Sequence, residues 1–155
     1  MRSECKYPFH EAHAKLEAYC AYQERCTQEI QKKLEAWGLP FEECNAIIDS
    51  LKVNRFFDDE RFCESFVSGK VRIKRWGRIK IRYELKLKGI KEEVIRKALL
   101  EIDPLLYEEN LSVLAQRKWA ESKGDEWTRK AKVQRFLVSK GYENDLIIHA
   151  LKSLV

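Results

Sequence analysis

Residues 81–102 read IRYELKLKGIKEEVIRKALLEI, and the spacing of their apolar side chains around Gly89 decides the fold. Apolar residues stand eight and four positions before that glycine, and again six, ten and thirteen positions after it. Such spacing places them on one face of an α-helix on either side of the glycine. Glycine readily adopts the left-handed conformation that ends a helix. The stretch therefore predicts a helix, a glycine stop and a second helix.

The same pattern occurs three times in the 155-residue chain, around Gly38, Gly89 and Gly141, which lie 51 and 52 residues apart. A further helix before each pair is needed to bury the apolar faces, and apolar spacing predicts one in each case. We therefore predict an all-α protein of three tandem three-helix repeats, stacked as a short curved rod. The predicted repeats cover residues 8–53, 57–103 and 104–155. The apolar positions before the glycines predict core residues Ile30, Leu34, Ile81, Leu85, Val133 and Leu137.

Composition limits the class of protein. Apolar residues make up 45% of the chain, enough for a core, and charged residues make up 35%, which favours well-solvated helices. The five cysteines include no Cys-x-x-Cys pair, which argues against a disulfide framework or a zinc module and fits a reducing cytoplasm. The N-terminus lacks an apolar signal core, and the longest apolar run, AYCAY at 18–22, is far too short to span a bilayer. We expect a cytoplasmic protein with no membrane partner.

Positive charge is concentrated in the middle of the chain, although the net charge is only +5. No acidic residue occurs between Glu64 and Glu84, while seven basic residues fall in that interval. Such a local field attracts phosphates or an acidic protein surface. On a helix over 77–88, Arg78, Arg82 and Lys86 form a row. The predicted binding surface comprises Arg72, Lys74, Arg75, Arg78, Lys80, Arg82, Lys86, Lys88, Arg129, Lys132 and Arg135.

Three motifs resemble those of the RecX family of bacterial recombinase regulators. They are DERFC at 59–63, GRIKI at 77–81 and KG at 88–89, where the family has Asp-Glu-Arg-Phe-Ala, Gly-x-x-x-Ile and Lys-Gly. Cys63 replaces the usual Ala, a small change that leaves the packing role intact. The resemblance covers about residues 14–154 and is strongest in the middle repeat. It implies a cytoplasmic, non-enzymatic protein of tandem three-helix repeats. It further implies binding to RecA recombinase filaments on DNA and lower recombinase ATPase, strand-exchange and coprotease activities.

An enzyme is the first alternative hypothesis. The Glu84-Leu85-Lys86 fragment is found in metal-dependent nucleases, but that chemistry needs a second carboxylate on an adjacent strand, and the segment is predicted to be helical. The two histidines of His10-Glu11-Ala12-His13 are three positions apart, whereas a zinc-binding helix needs four. We therefore expect no catalytic residue, no bound metal and no cofactor.

The second alternative concerns the mode of DNA binding. A sequence-specific helix–turn–helix protein often reads bases with Asn, Gln or Arg, and residues 77–88 contain neither Asn nor Gln. Trp76 could stack on a base or pack on the repeat core. The basic row could also be only a solvated helix face. We expect a monomer that contacts single- or double-stranded DNA without sequence preference, and a DNA-binding protein acting without a recombinase stays the alternative function.

Overall fold

The computed structural model describes residues 4–154 and builds this part of the chain from nine α-helices without a strand. The predicted all-α fold of three tandem three-helix repeats is thereby confirmed. The first repeat contains α1 (Phe9–Tyr22), α2 (Thr27–Ala36) and α3 (Phe41–Val53). The second contains α4 (Asp59–Gly69), α5 (Arg78–Leu87) and α6 (Glu92–Leu100). The third contains α7 (Pro104–Glu121), α8 (Glu126–Lys140) and α9 (Asn144–Lys152).

Each repeat turns between its second and third helices at a glycine with a positive φ angle. The angle is 76°, 76° and 93° at Gly38, Gly89 and Gly141. The amide after each glycine donates to the carbonyl five residues earlier, as in a Schellman motif. Because of these turns, the second and third helices of each repeat bury their apolar faces together. The predicted core positions before the glycines have no exposed surface: Ile30, Leu34, Ile81, Leu85, Val133 and Leu137.

The first helix of the second repeat does not end in a regular helical turn. It continues as a π-helical turn, Lys70–Lys74, which is followed by Arg75 in the left-handed conformation with a φ of 53°. Regular helical spacing predicts that Ile73 shares the buried face of Phe62. That prediction is wrong: Val71 is buried and Ile73 is 77% exposed. The wider π-helical turn breaks the 3.6-residue period on which the prediction depends.

Buried apolar side chains of residues 4–154 form two clusters instead of one for each repeat. The first repeat has its own cluster, which includes Leu16, Leu34 and Leu51. The second cluster includes Cys26, just before α2, and runs without interruption through the second and third repeats, from Phe62 in α4 to Ile147 in α9. The second and third repeats therefore share one hydrophobic core.

One contact recurs at both junctions between repeats. The residue before α2, Cys26, places its sulfur 3.9 Å from the carbonyl oxygen of Lys88 in the next repeat. The residue before α5, Gly77, donates its amide to the carbonyl of Lys140 at 2.7 Å. Both carbonyls belong to the residue just before a glycine turn. Since equivalent positions make both contacts, successive repeats stack in the same way, as in other tandem arrays.

Within residues 4–154, every helix falls short of the length and apolar character that a membrane crossing needs.

Candidate partner-binding surface

Several cations lie on residues 70–80, which run from the π-helical turn to the first turn of α5 and which we call the basic turn. Arg72 and Lys74 are exposed on its π-helical part, while Arg75 and Lys80 are half-buried. None of these four side chains makes an ion pair with a carboxylate of residues 4–154. The basic turn therefore keeps uncompensated positive charge at the protein surface.

Trp76 lies within the basic turn and packs on the core. Its indole makes an edge contact with the ring of Phe66, with centroids 6.4 Å apart. The ammonium groups of Lys70 and Lys80 lie over the indole at 4.6 and 4.5 Å from its centroid. Cation–π attraction of this kind restrains the two lysines. Of the two hypotheses for Trp76, packing is the one realised in this structure, and the ring positions two cations of the surface.

Arg78 belongs to a polar network that joins the second repeat to the third. Its guanidinium pairs with Glu143 at 2.7 Å and lies 3.9 Å from the ring centroid of Tyr107. The Tyr107 hydroxyl donates to Glu143 and accepts the backbone amide of Arg78. Burial, reinforced by the hydrogen bond to Glu143, raises the pKa of Tyr107 far above its ordinary value. Arg78 is thus already engaged within the chain and is less available to a partner than its place in the sequence indicates.

Arg82 and Lys86, the other members of the predicted row, share one carboxylate. Both pair with Glu92 in the first turn of α6, Lys86 at 3.1 Å. The positive charge on this part of α5 is therefore partly compensated in space, because the glycine turn brings Glu92 back beside the helix. The sequence does contain a signal for this pairing: Glu92 stands three residues after Gly89, in the predicted first turn of the following helix.

Lys88, the last predicted cation of the second repeat, lies at the junction with the first. Its ammonium is 4.0 Å from Glu29 and 5.7 Å from the ring centroid of Phe62. Like Arg78, it contributes to the stacking of repeats.

The three predicted cations of the third repeat have different surroundings. Arg129 lies over the ring of Trp119 at 3.7 Å and donates to the carbonyl of that residue at 2.7 Å. Lys132 donates to the carbonyl of Lys123 at 2.8 Å. Arg135 is exposed and forms no ion pair in the described part of the chain. Of this group, Arg135 is the most available to a partner.

The positive surface includes a lysine that is not in the predicted set of binding residues. Lys140 lies beside the basic turn, because its carbonyl accepts the amide of Gly77. Its ammonium is 5.6 Å from the ring centroid of Phe136. A turn of the third repeat thus adds a cation to the basic turn of the second. Only the stacking of repeats brings the two together, so helical periodicity within one segment gives no signal for it.

His13 makes two polar contacts that resemble a catalytic relay. Its Nδ1 is 2.9 Å from Glu17 and its Nε2 is 3.0 Å from the hydroxyl of Ser50. Ser50 lies inside α3, where backbone amides bond within the helix and are not free to stabilise an oxyanion. The contact with Ser50 connects α1 to α3. Among the residues that the structure describes, no group of three or more His, Cys, Asp or Glu side chains is placed to hold a metal ion.

Comparison with known proteins shows the family to which this chain is related. The model of the second three-helix domain of RecX matches residues 58–99, and that of the third three-helix domain matches residues 107–151. This chain belongs to the RecX family. The matched ranges contain α4 to α6 and α7 to α9 almost entirely, so the family models correspond to the second and third repeats.

Individual RecX proteins are similar over most of the chain. This chain is 36% identical over 128 residues to the regulatory protein RecX of Clostridium botulinum (strain Alaska E43 / Type E3), and the match covers 81% of this chain and 59% of that protein. It is 30% identical over 137 residues to the regulatory protein RecX of Prosthecochloris aestuarii (strain DSM 271 / SK 413), covering 88% and 89%. A crystal structure of regulatory protein RecX superposes with a TM-score of 0.82 at 27% identity, covering 94% of this chain and 71% of that one. The chain thus spans about three fifths of the clostridial relative and most of the other.

Proposed function

We propose that this RecX-family chain binds RecA recombinase filaments on DNA and inhibits recombinase ATPase, strand exchange and coprotease activity. The proposal has the chain acting as a cytoplasmic monomer, without a cofactor or a catalytic residue. The basic turn is the observation that supports it most, because Arg72 and Lys74 are exposed there and form no ion pair within residues 4–154. The regulatory names of the relatives are consistent with this role.

The paired and unpaired cations of the second repeat differ in whether they must give up an ion pair within the chain before they can bind DNA. Arg72 and Lys74 can approach phosphates directly and release the counterions condensed on the nucleic acid. Arg82 and Lys86 already interact with Glu92, so they would have to exchange one anion for another. We therefore assign phosphate contact first to the unpaired part of the basic turn, and place the predicted row Arg78–Arg82–Lys86 second.

The first prediction compares Arg72→Ala/Lys74→Ala with the parent chain. If both cations contact single-stranded DNA, the slope of log affinity against log salt should become shallower by roughly 1.4, since each lost phosphate contact removes about 0.7. Fluorescence anisotropy with labelled oligonucleotides of two unrelated sequences measures the slope. Recombinase ATPase on single-stranded DNA should be inhibited less by the variant than by the parent.

Lys32→Ala/Lys33→Ala in the first repeat is the matched control, because it also removes two exposed cations that are close together in the sequence. This control should change the salt slope and the inhibition less. An unchanged slope in the basic-turn variant would refute the assignment of phosphate contact. DNA binding by a parent chain that leaves the ATPase untouched would instead favour the alternative function, sequence-independent DNA binding without a recombinase.

A further inference from the structure

The outward face of α5 is apolar at its centre. Ile79, Tyr83 and Leu87 are 55%, 61% and 55% exposed. Positions four apart share one face of a helix, so the three side chains form a continuous row, which we call the α5 stripe. The stripe lies roughly opposite Ile81 and Leu85, which face the core without exposed surface.

The other two repeats carry no such stripe. Counted back from the glycine turn, its members stand ten, six and two residues before Gly89. The equivalent residues of the other repeats are Gln28, Lys32 and Ala36 in α2, and Ala131, Arg135 and Ser139 in α8. All three second helices have the same place in their repeats, so folding does not require large apolar side chains at these positions. An exposed apolar patch without a folding role indicates contact with another molecule.

Cations border the α5 stripe on both sides. On one side, Arg82 and Lys86 share the single carboxylate of Glu92, which leaves that side with excess positive charge. On the other side lies Lys80, whose ammonium is over Trp76 and forms no ion pair in the described residues. Glu84, the acidic residue of α5, lies beyond Lys80 towards the core and is half-buried. The border of the stripe is therefore positive overall.

A protein complements this surface better than a nucleic acid does. Aliphatic side chains form no hydrogen bonds with phosphates, and their removal from water is favourable only against an apolar partner. Carboxylates around such a partner would meet the basic border. We propose that the α5 stripe docks an acidic amphipathic helix of a partner protein, with apolar side chains at its centre and Asp or Glu at its edges.

This inference rests on the proposed function, in which the partner protein is the recombinase. It assigns different contacts to two neighbouring surfaces. The α5 stripe contacts the protein part of the filament, and the basic turn contacts the phosphates. Loss of the stripe therefore weakens binding to the filament without weakening binding to bare DNA.

The repeat itself supplies the test variant, Ile79→Ala/Tyr83→Arg/Leu87→Ser, which installs the third repeat's residues at the equivalent positions. Inhibition of recombinase ATPase should require on the order of ten-fold more of this variant, because a central aromatic anchor is lost. Its affinity for single-stranded DNA alone should equal or exceed that of the parent, since the change adds a positive charge. The matched control Leu100→Ser/Leu105→Ser removes apolar side chains that are 80% and 75% exposed elsewhere, and should inhibit like the parent.

The outcomes separate the inference from the proposed function. Equal inhibition by the triple variant and the parent overturns the α5 stripe and leaves the proposed function standing. A parallel loss of affinity for bare DNA also overturns it, because the stripe then contacts nucleic acid. A parent chain that neither binds the filament nor lowers its ATPase activity overturns both. Circular dichroism checks folding, and if the triple variant unfolds, Tyr83→Arg alone decides by the same measurements.

Discussion

At the scale of single residues, the buried cysteines make stability depend on alkaline pH. Cys26 and Cys63 have no exposed surface. Burial raises the pKa of each thiol from an ordinary 9.0 to about 11. Between these values the unfolded chain loses thiol protons that the folded chain keeps, so unfolding becomes more favourable as the pH rises. The stabilising effect of the protonated thiols is complete below the unfolded pKa and is lost through the folded one. Burial shifts the pKa of Tyr107 in the same direction.

We predict that Cys63→Ala makes the alkaline loss of stability less steep. Alanine has no proton to lose, and the family has Ala at this position of the motif, so the core should accept it. Thermal unfolding followed by circular dichroism at pH values from about 8 to about 10.5 measures the effect as a change in slope, apart from any constant offset. Cys5→Ala, at an exposed cysteine, should leave the slope unchanged. Parallel curves for Cys63→Ala and the parent would contradict the prediction.

At the scale of elements, two glycines let the start of α5 approach the turn between α8 and α9. A methyl group on Gly77 would overlap the carbonyl of Gly141, and one on Gly141 would overlap the backbone of Lys80. The amides of Gly77 and Ile79 donate across this contact to the carbonyls of Lys140 and Gly141 at 2.7 and 3.0 Å. The junction of the second and third repeats is therefore a contact between two backbones, which only a residue without a side chain permits.

Gly77→Ala should accordingly destabilise the protein by about 1–3 kcal/mol, the usual effect of forcing extra atoms into a packed contact. Urea unfolding measures the change. Gly69→Ala is the matched control, because nothing in residues 4–154 beyond the adjoining helix backbone lies within 4 Å of the added carbon and the residue has helical angles, with a φ of −64°. This control should be neutral or stabilising by about 0.5–1 kcal/mol, since Ala favours a helix. Equal effects of the two substitutions would contradict the backbone contact.

The sequence predicted features that depend on neighbours along the chain. Gly89 ends α5 and Leu85 is buried, because helix ends and helix faces follow from local spacing. It did not predict pairings between elements, such as that of Arg78 with Glu143, because local spacing contains no information about which helices meet. The same limit applies to the exposure of Ile73, which depends on the π-helical turn.

The same distinction between local features and pairings of elements applies to the candidate surface. The sequence predicted a concentration of cations in the segment between α4 and α5, and the structure shows Arg72 and Lys74 exposed there. The predicted surface did not distinguish them from Arg82 and Lys86, which share Glu92. The position of Glu92 just after the Gly89 turn was the signal for that pairing. The sequence also contained a signal for the α5 stripe, because the predicted burial of Ile81 and Leu85 places Ile79, Tyr83 and Leu87 on the opposite face of the helix. Only the structure shows that no other element of residues 4–154 covers this face.

At the scale of the whole molecule, the apolar clusters of residues 4–154 group the three repeats into two units. The first repeat has a separate apolar cluster, whereas the second and third share one. The latter pair is joined further by the backbone contact at Gly77 and by a buried hydrogen bond of 2.9 Å from Asn110 to the carbonyl of Val71. Because apolar contacts couple the opening of neighbouring elements, we expect the first repeat to open as one unit and the other two together.

Substitution of the same repeat position in both clusters tests this expectation. Leu34 and Leu85 each stand four residues before a glycine turn and have no exposed surface, so Leu→Ala at either should cost about 2–5 kcal/mol locally. In amide hydrogen exchange, Leu34→Ala should raise the rates in α1 to α3 and leave α5 to α9 as in the parent. Leu85→Ala should raise the exchange rates in α4 to α6 and also in α7 to α9. The latter helices belong to a different repeat but share the apolar cluster that contains Leu85. If exchange in α7 to α9 stays unchanged in Leu85→Ala, the continuous cluster does not unfold cooperatively, and each repeat is its own unit of stability.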